Sequence, residues 1–311
     1  MEKALVHRWG NPDTILVATN LRDVAHLVPH AIAQAKLSAA KVLLVHVIEP
    51  TYLLASPPEG IPFVLPNPSL RDVQTRLRGL SKQFQREGVL CEPVVLKGLP
   101  REQLPALIKE RNIDRVIVGT RSGGAIDRML LGSVAEDLLH EVDVPVCVLR
   151  PHVRPQVRPD QEPSAILFAT SFHHGVHQSA KLALELASLY QSRLVLLHVI
   201  PTEYASEEEH RQMRTLREEQ LSGVLTRESK LWCTPFIAVR EGDPAKMILS
   251  EANAVRADLI VLGATGATRG ARLLGAGVVH QVIAEARVPV ITLRQEQEAP
   301  ELGVQPSWAT A

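Results

Sequence analysis

The chain contains 311 residues, of which 45% are hydrophobic and 22% are charged, a composition typical of soluble globular proteins and a length sufficient for two domains. Lys and Arg together number 34, as do Asp and Glu, so no excess of positive charge indicates binding to nucleic acid or to an anionic membrane. No apolar run reaches the roughly 18 residues of a membrane span, and the N-terminus lacks the apolar core of a signal peptide, so we expect a cytoplasmic protein.

The first half of the chain alternates short β-branched runs with patterns of helical length. The apolar runs predict strands near residues 14–19, 41–48, 92–97, 115–119 and 145–149. The segments between them predict helices near 23–39, 69–87, 100–111 and 132–141. Strands that are apolar on both faces and alternate with helices indicate a parallel sheet covered on both sides. Ligands bind such sheets beyond the carboxyl ends of the strands, so function is expected in the loops after strands one, two and four.

The second half repeats the first. Four strand sequences recur in the same order: ILVAT as ILFAT, LLVHVI as LLHVI, DRVIVGT as DLIVLGA, and VPVCVLR as VPVITLR. The predicted strands lie near 165–170, 193–200, 234–239, 258–263 and 289–293, and the predicted helices near 175–190, 206–230, 244–255 and 277–286. This ordered similarity indicates two copies of one α/β domain. In helix 206–230 we expect a buried apolar stripe, formed by Met213, Leu216, Leu221, Val224 and Leu225.

The segment between the two copies carries a proline at every fourth position from Pro151 to Pro163. Proline fixes φ and removes a backbone donor, so a semi-rigid extended linker is expected. The predicted organisation is a first domain at 1–150, a linker at 151–163, a second domain at 164–294 and a flexible tail at 295–311. Cys91, Cys147 and Cys233 lie in apolar runs and are expected to be buried free thiols.

These residues resemble the universal stress protein family, in its tandem form with two domains in one chain. The resemblance extends from about residue 13 to residue 294. It is carried by the strands ending in HVI, by REGDPAKMILSEANAVRADLIVLGATG at 240–266, and by LLGSVAEDLL before VPVCVL. It implies an α/β fold in which each repeat is a Rossmann-like, adenine nucleotide α-hydrolase-like three-layer sandwich with a five-stranded parallel sheet.

The resemblance also implies a nucleotide site in the first repeat. Part of the family binds ATP through Gly-x-x-Gly, nine residues, and then Gly-Ser or Gly-Thr. The stretch VIVGTRSGGAIDRMLLGS, at 116–133, fits this pattern except that a serine replaces the second glycine. A helix that opens at Gly-Ser offers free N–H groups and the positive end of its dipole to phosphate. The residues implied to bind nucleotide here are Gly119, Thr120, Ser122, Gly123, Gly132, Ser133 and Val134, with Val47 at the base and Asn20 at the ribose.

The second repeat departs further from the pattern. Gly263 and Gly266 keep its front half, but Ala276 and Gly277 replace Gly-Ser, so the hydroxyl donor is lost. ATP-binding members of the family carry an Asp after the first strand that reaches toward the ribose. The corresponding positions here hold Asn20 and Ser171, whose hydrogen bonds are uncharged and weaker. Nucleotide is therefore expected in the first repeat, with Gly263 and Gly266 as the second repeat's weaker candidates.

Three other features leave alternatives open. The mouth of the second repeat carries His173, His174 and His177, which form either a zinc-type metal site or a polar helix start. His46 and His198 end equivalent strands, which indicates a structural role. The proline-rich segment Glu49 to Leu70 is either a lid, a partner surface or a packed loop.

No P-loop, G-x-S-x-G or H-E-x-x-H motif is present, so we expect a binding protein rather than an enzyme, with slow ATP hydrolysis left open. The first hypothesis is a stress-response regulatory or protective protein that binds ATP or AMP, with Mg, in the first repeat. The second is an interaction module with relic pockets that acts through protein partners. A third is a binder of another small ligand or metal near His173 to His177. The family resemblance implies that the repeats pair through their last strands, 145–150 against 289–294, where unpaired strand edges can join, as an intramolecular pseudo-dimer. Further homodimerisation is left open, and no nucleic acid or membrane partner is expected.

Overall fold

The structure is a computed structural model that describes residues 9–50, 69–120, 131–153, 162–172, 176–200, 207–225, 229, 234–265 and 277–295. The proline-rich segment 51–68, most of the linker, His173 and His174, Cys233 and the tail from residue 296 lie outside the described residues. Within the part of the chain that is described, no helix combines the length and the apolar character needed to cross a membrane.

The first repeat alternates strands and helices along the chain. Its strands are β1 (Thr14–Ala18), β2 (Lys41–Ile48), β3 (Cys91–Lys97), β4 (Arg115–Gly119) and β5 (Val146–Leu149). Its helices are α1 (Val24–Ser38), α2 (Leu70–Arg86), α3 (Pro100–Glu110) and α4 (Ser133–Glu141). Each of these elements confirms a predicted one.

The second repeat has the same order of elements. Its strands are β6 (Ala165–Ala169), β7 (Arg193–Ile200), β8 (Phe236–Glu241), β9 (Leu259–Thr265) and β10 (Val290–Gln295). Its helices are α5 (Val176–Leu189), α6 (Glu207–Gly223), α7 (Pro244–Ala254) and α8 (Val278–Glu285). These elements were also predicted, but α6 ends at Gly223 rather than at residue 230, because glycine is about 1 kcal/mol less favourable than alanine within a helix.

The apolar stripe expected on α6 is only partly correct. Leu221 is fully buried, and Met213, Val224 and Leu225 pack against the core. Leu216 is 45% exposed, so its assignment to the stripe was wrong. With 3.6 residues per turn, Leu216 lies about 140° around the helix from Leu221, which turns its side chain away from the sheet.

The described strands form one ten-stranded sheet, in the order β3-β2-β1-β4-β5-β10-β9-β6-β7-β8. All pairs within a repeat are parallel, and the repeats meet where β5 and β10 pair antiparallel. At this junction Val148 lies opposite Val290, Cys147 opposite Ile291 and Val146 opposite Thr292. This is the pairing of last strands that the family resemblance implied, and it merges the two repeats into one sheet.

Helices cover both faces of this sheet. In β1, Ile15 and Val17 belong to the core beneath α1, α2, α5 and α6, whereas Leu16 and Ala18 belong to the core beneath α3, α4, α7 and α8. Every residue of β1 is buried, as expected for a strand that is apolar on both faces. The three-layer α/β class predicted from the sequence is therefore confirmed.

Two of the cysteines can be placed. Cys147 is a fully buried free thiol that accepts a hydrogen bond from Gln34 Nε2 at 3.2 Å, and burial raises its pKa to about 11. Cys91 is also a free thiol but only partly buried, and its pKa is raised to about 12 by burial and by the nearby Glu92. High thiol pKa values indicate unreactive cysteines. The predicted burial is confirmed for Cys147 and only in part for Cys91.

Candidate functional site

A cleft opens at the carboxyl ends of β1 and β4 in the first repeat. These strands are neighbours in the sheet, but the chain leaves β1 toward β2 on one side and leaves β4 toward β5 on the other. The winding therefore reverses between them, and that reversal is where open α/β sheets bind ligands. Six of the predicted site residues line the cleft: Asn20, Val47, Gly119, Gly132, Ser133 and Val134.

Two of the other predicted residues, Thr120 and Gly263, are described by the structure and do not line this cleft. Thr120 does not line the cleft, because its side chain is fully buried and its N–H donates to the carbonyl of Leu149 at 2.9 Å. Gly263 lies on β9 in the second repeat, opposite Leu293 of β10. Ser122, Gly123 and Gly266 lie outside the described residues.

The N-terminus of α4 forms one wall of the cleft. Gly132 is its N-cap residue, with φ −63° and ψ 143°, and among the described residues the helix has no side-chain cap. This backbone conformation is open to any residue, so glycine is not needed for geometry, and it brings no side chain of its own to the helix end. The first N–H groups of a helix have no partner within it and carry the positive end of the dipole. They are available to an anion in the cleft.

The turn from β1 to α1 forms the opposite wall. Leu21 adopts a left-handed conformation, with φ 65°, and its N–H donates to Thr19 Oγ1 at 2.9 Å. Asn20 Oδ1 accepts hydrogen bonds from the N–H groups of Arg22, at 2.7 Å, and Asp23, at 3.2 Å. Both lone pairs of this oxygen are therefore used within the turn, and a ligand would meet the donor NH₂ group of Asn20 instead.

Asp23 is a cleft residue that the sequence analysis missed. It is 2% exposed, and its Oδ1 accepts a hydrogen bond from Thr19 Oγ1 at 2.6 Å. Burial raises the pKa of this carboxyl group, while the hydrogen bond from Thr19 and the nearby His26 act in the opposite direction. An acid just before a helix normally indicates a cap. Asp23 is the N-cap residue of α1 but makes no cap bond. The sequence feature that could have indicated its role is Thr19, four residues earlier, whose hydroxyl donates to it.

Position 119 must be glycine because it lies against the side chain of Asp23. A Cβ atom at position 119 would clash with Asp23 Oδ2, and it would also lie 3.0 Å from Asp23 Cγ. The end of β4 therefore has no room for a side chain while Asp23 keeps its place beside Thr19. This packing brings the backbone of β4 close to the turn after β1.

The paired histidines have the structural role expected from their duplication. His46 Nδ1 lies 2.8 Å from the carbonyl oxygen of Thr19, and His198 Nδ1 lies 2.8 Å from that of Thr170. Each histidine ties the end of the second strand in its repeat to the end of the first. Phe172 repeats the left-handed turn, with φ 60°, so the second repeat keeps this framework.

The described cleft lining carries acidic side chains, and its positive feature is the dipole at the N-terminus of α4. It includes the carboxylates of Asp23 and Glu49, and the lining residues that the structure describes include no Lys or Arg. The cleft volume is about 120 Å³. Small-molecule sites usually measure about 300–1,000 Å³, so this volume accommodates a base or a phosphate group rather than a whole nucleotide.

Comparison with known proteins gives the same two-part division. The sequence profile of the universal stress protein family matches residues 12–150 and again residues 164–294. A universal stress protein of Methanocaldococcus jannaschii is 27% identical over 137 residues, which are 44% of this chain and 81% of that protein. One from Thermus aquaticus is 30% identical over 151 residues, or 44% of this chain and 98% of that protein. These relatives have the length of a single repeat.

Solved structures match the whole arrangement of two repeats. A universal stress protein from Archaeoglobus fulgidus superposes with a TM-score of 0.65 at 18% identity, covering 91% of this chain and 96% of that one. A Pseudomonas aeruginosa protein described as functionally unknown gives a TM-score of 0.62 at 19% identity, covering 92% and 94%. At these identities the likeness concerns the fold alone.

Proposed function

This chain belongs to the universal stress protein family of stress-response proteins, and we propose that it is a regulatory or protective member that binds ATP or AMP in its first repeat. The observation that carries this proposal is the uncapped N-terminus of α4 at the cleft. Gly132, Ser133 and Val134 line the cleft there, together with Gly119 from β4. A helix end without a side-chain cap is a ready site for phosphate.

Each wall of the cleft has a part in this proposal. Phosphate groups would accept hydrogen bonds from the first N–H groups of α4 and from the hydroxyl of Ser133, which is exposed. The NH₂ group of Asn20 would donate to the ribose, since its oxygen is used in the turn. Val47, with the neighbouring Leu104, offers an apolar contact to the base.

The acidic lining supports a role for magnesium in this proposal. Phosphates close to Asp23 and Glu49 would be repelled in the absence of a cation. Mg²⁺ prefers carboxylate and phosphate oxygens, and Glu49 lies at the end of β2 on the cleft wall. When bound, the ion would supply charge neutralisation between the protein and the nucleotide.

We propose binding without catalysis. Two titratable groups of the cleft are already used in holding the turn after β1, because Asp23 accepts a hydrogen bond from Thr19 and His46 Nδ1 contacts the carbonyl of Thr19. The sequence carries none of the hydrolase motifs described above. Both points favour a protein whose bound nucleotide acts as a signal.

A second function, a protein-interaction module whose nucleotide pockets are relics, is favoured by the cleft volume. About 120 Å³ is less than a whole nucleotide requires. Under the first proposal the cleft must therefore widen on binding, whereas under the second it stays closed.

The deciding experiment is calorimetric titration of the full chain with ATP and magnesium. We expect one saturable site per chain in the wild type. Gly132→Trp should abolish binding, because the indole would cover the helix end while φ and ψ at this position accept any residue. The matched control is Gly277→Trp, at the N-cap of α8 in the second repeat, which should leave the site intact.

Circular dichroism would establish that both variants are folded. Absence of binding by the folded wild type would overturn the nucleotide proposal and favour the interaction module. Equal binding by the wild type and Gly132→Trp would also overturn it, because the ligand would then bind somewhere other than at α4.

A further inference from the structure

Two histidines and a glutamate meet at the junction between the repeats. Glu136 and His140 lie one helical turn apart on α4, and His280 lies on α8 of the second repeat. The rings of His140 and His280 are stacked, with centroids 6.0 Å apart and planes at 29°. His280 Nε2 lies 3.7 Å from Glu136 Oε1. The three residues therefore form one cluster that crosses the boundary between repeats.

The spacing of the polar atoms suits a small cation. One ligand atom from each residue can be chosen so that all three lie within 4.8 Å of one another. Zinc bonds of about 2.0–2.2 Å in a tetrahedral arrangement place ligand atoms about 3.4 Å apart. A contraction of at most about 1.4 Å, within the reach of side-chain rotation, brings the three atoms from within 4.8 Å of one another to that spacing.

The surroundings of His280 also favour a cation site. Its Nε2 is buried, and it has no hydrogen-bond partner among the described residues, since its 3.7 Å approach to Glu136 exceeds a hydrogen bond. Buried polar atoms are normally paired, so one without a partner calls for an explanation. The side chains of His280 and Glu136 remain 17% and 26% exposed, which leaves an ion a path to the cluster.

The helices that carry the cluster are anchored firmly. Leu138 and Leu139 of α4, and Val282 and Ile283 of α8, are buried in the same core. Arg294 of β10 donates to the carbonyl oxygen of His140 at 3.1 Å and forms an ion pair with Asp143. The first of these contacts holds the last turn of α4 through its backbone.

We propose that Glu136, His140 and His280 bind one divalent transition-metal ion of the zinc class and that this ion cross-links the two repeats. Two imidazoles and one carboxylate form a known zinc ligand set that leaves a fourth position for water. The ion links α4 to α8 beside the junction of β5 and β10. The ion holds the two repeats together, and this does not depend on nucleotide binding, because none of the three residues lines the cleft.

The proposal is tested by titrating the chelator-treated full chain with zinc chloride in a calorimeter. We expect one zinc per chain. Loss of a residue that only orients a metal ligand usually lowers metal affinity 10–100-fold, so loss of a ligand itself in His280→Ala should lower it by about 100-fold or more. Glu136→Gln keeps the shape of the side chain but removes its charge, and should weaken binding in the same direction.

Thermal unfolding supplies a second readout. Zinc should raise the melting temperature of the wild type, because it binds only the folded arrangement, and should not raise that of His280→Ala. The matched control is His177→Ala, which removes an exposed histidine of α5 and tests the metal site suggested by the sequence at His173 to His177. This variant should bind zinc like the wild type.

Three results would overturn the proposal. The first is zinc binding in the wild type that neither His280→Ala nor Glu136→Gln weakens while both remain folded without zinc. The second is the absence of any saturable binding by the wild type. The third is loss of binding in His177→Ala alone, which would assign the metal to the second repeat and contradict the site between α4 and α8.

Discussion

At the scale of single residues, the contact between Asp23 and Gly119 fixes how closely the ends of β1 and β4 approach. The carboxylate is held by Thr19 on one side and lies against the glycine on the other. Interiors are packed closely enough that a single added methyl group displaces its neighbours. The stability of the cleft therefore depends on Gly119 having a hydrogen atom where every other residue has a Cβ atom.

We predict that Gly119→Ala lowers the free energy of unfolding by about 1–3 kcal/mol, the usual cost of an extra methyl group in a packed site. The new Cβ would clash with Asp23 Oδ2 and force the carboxylate away from Thr19. Urea denaturation measures this loss. The control is Gly79→Ala on α2, where a Cβ meets nothing within 4 Å and where alanine should stabilise the helix by about 0.5–1 kcal/mol.

A double-mutant cycle assigns the effect to Asp23. In an Asp23→Ala background the closest atom is gone, so Gly119→Ala should cost at least about 0.5 kcal/mol less than in the wild type. An unchanged cost would mean that the backbone of β4, and not the carboxylate, is what excludes a side chain at position 119.

At the scale of elements, the helices differ in how they begin. Asp243 caps α7 by accepting from the N–H of Lys246 at 2.9 Å, and Ser69 caps α2 by accepting from the N–H of Asp72 at 3.1 Å. Helices α4 and α8 follow N-cap glycines, which have no side chain with which to form such a cap. The capped helices are thus stabilised locally, whereas α4 depends on its packing and leaves its N–H groups for the cleft.

We predict that Asp243→Ala lowers the free energy of unfolding by about 1 kcal/mol, the typical cost of removing an N-cap side chain. Asp243→Asn is the matched variant and should be nearly neutral, because asparagine caps helices about as well as aspartate. Chemical denaturation of both proteins distinguishes them. Equal losses in the two variants would show that the charge of Asp243, and not its cap bond, stabilises α7.

Elements are also the level at which the sequence was most informative. Strand β1 was predictable because every residue of TILVA is apolar or small enough to be buried on both faces. Helix α6 was predicted too long, because its charged pattern continues past Gly223. Local periodicity determines where elements lie, but their ends depend on single residues and on packing.

The site was less predictable because it depends on contacts between distant parts of the chain. Asn20, Val47, Gly119 and Gly132 were predicted by resemblance and do line one cleft. The contact of Asp23 with Gly119 arises only when β1 and β4 become neighbours. Glu136 and His140 stand at helical spacing, but His280 joins them only through the pairing of the two repeats.

At the scale of the whole molecule, one continuous sheet joins the repeats. The junction consists of the short antiparallel pair β5 and β10, supported by the ion pair of Arg294 with Asp143. Cys147, Val148, Val290 and Ile291 are all buried at this junction. Separation of the repeats would expose these residues and two unpaired strand edges, so the connection does not depend on the covalent linker.

We predict that the repeats stay together after the linker is cut. A specific protease site placed within residues 154–161 would allow cleavage, and the two halves should then elute together in size-exclusion chromatography. Ile291→Asp places a charge in the buried junction and should make the cut halves elute separately, since burial of an unpaired charge is strongly unfavourable. Separate elution of halves that carry the native junction would contradict this account.

Covalent duplication frees the junction from a constraint that a true dimer obeys. In a two-fold homodimer every position at the axis meets its own copy, so a glutamate there would face a second glutamate. Positions 136 and 280 are equivalent in the two repeats, yet one is glutamate and the other histidine. The helix starts have diverged in the same way, with Gly132 and Ser133 in one repeat and Ala276 and Gly277 in the other. A single chain thus forms an asymmetric pseudo-dimer, in which equivalent positions of the two repeats can carry different residues and different functions.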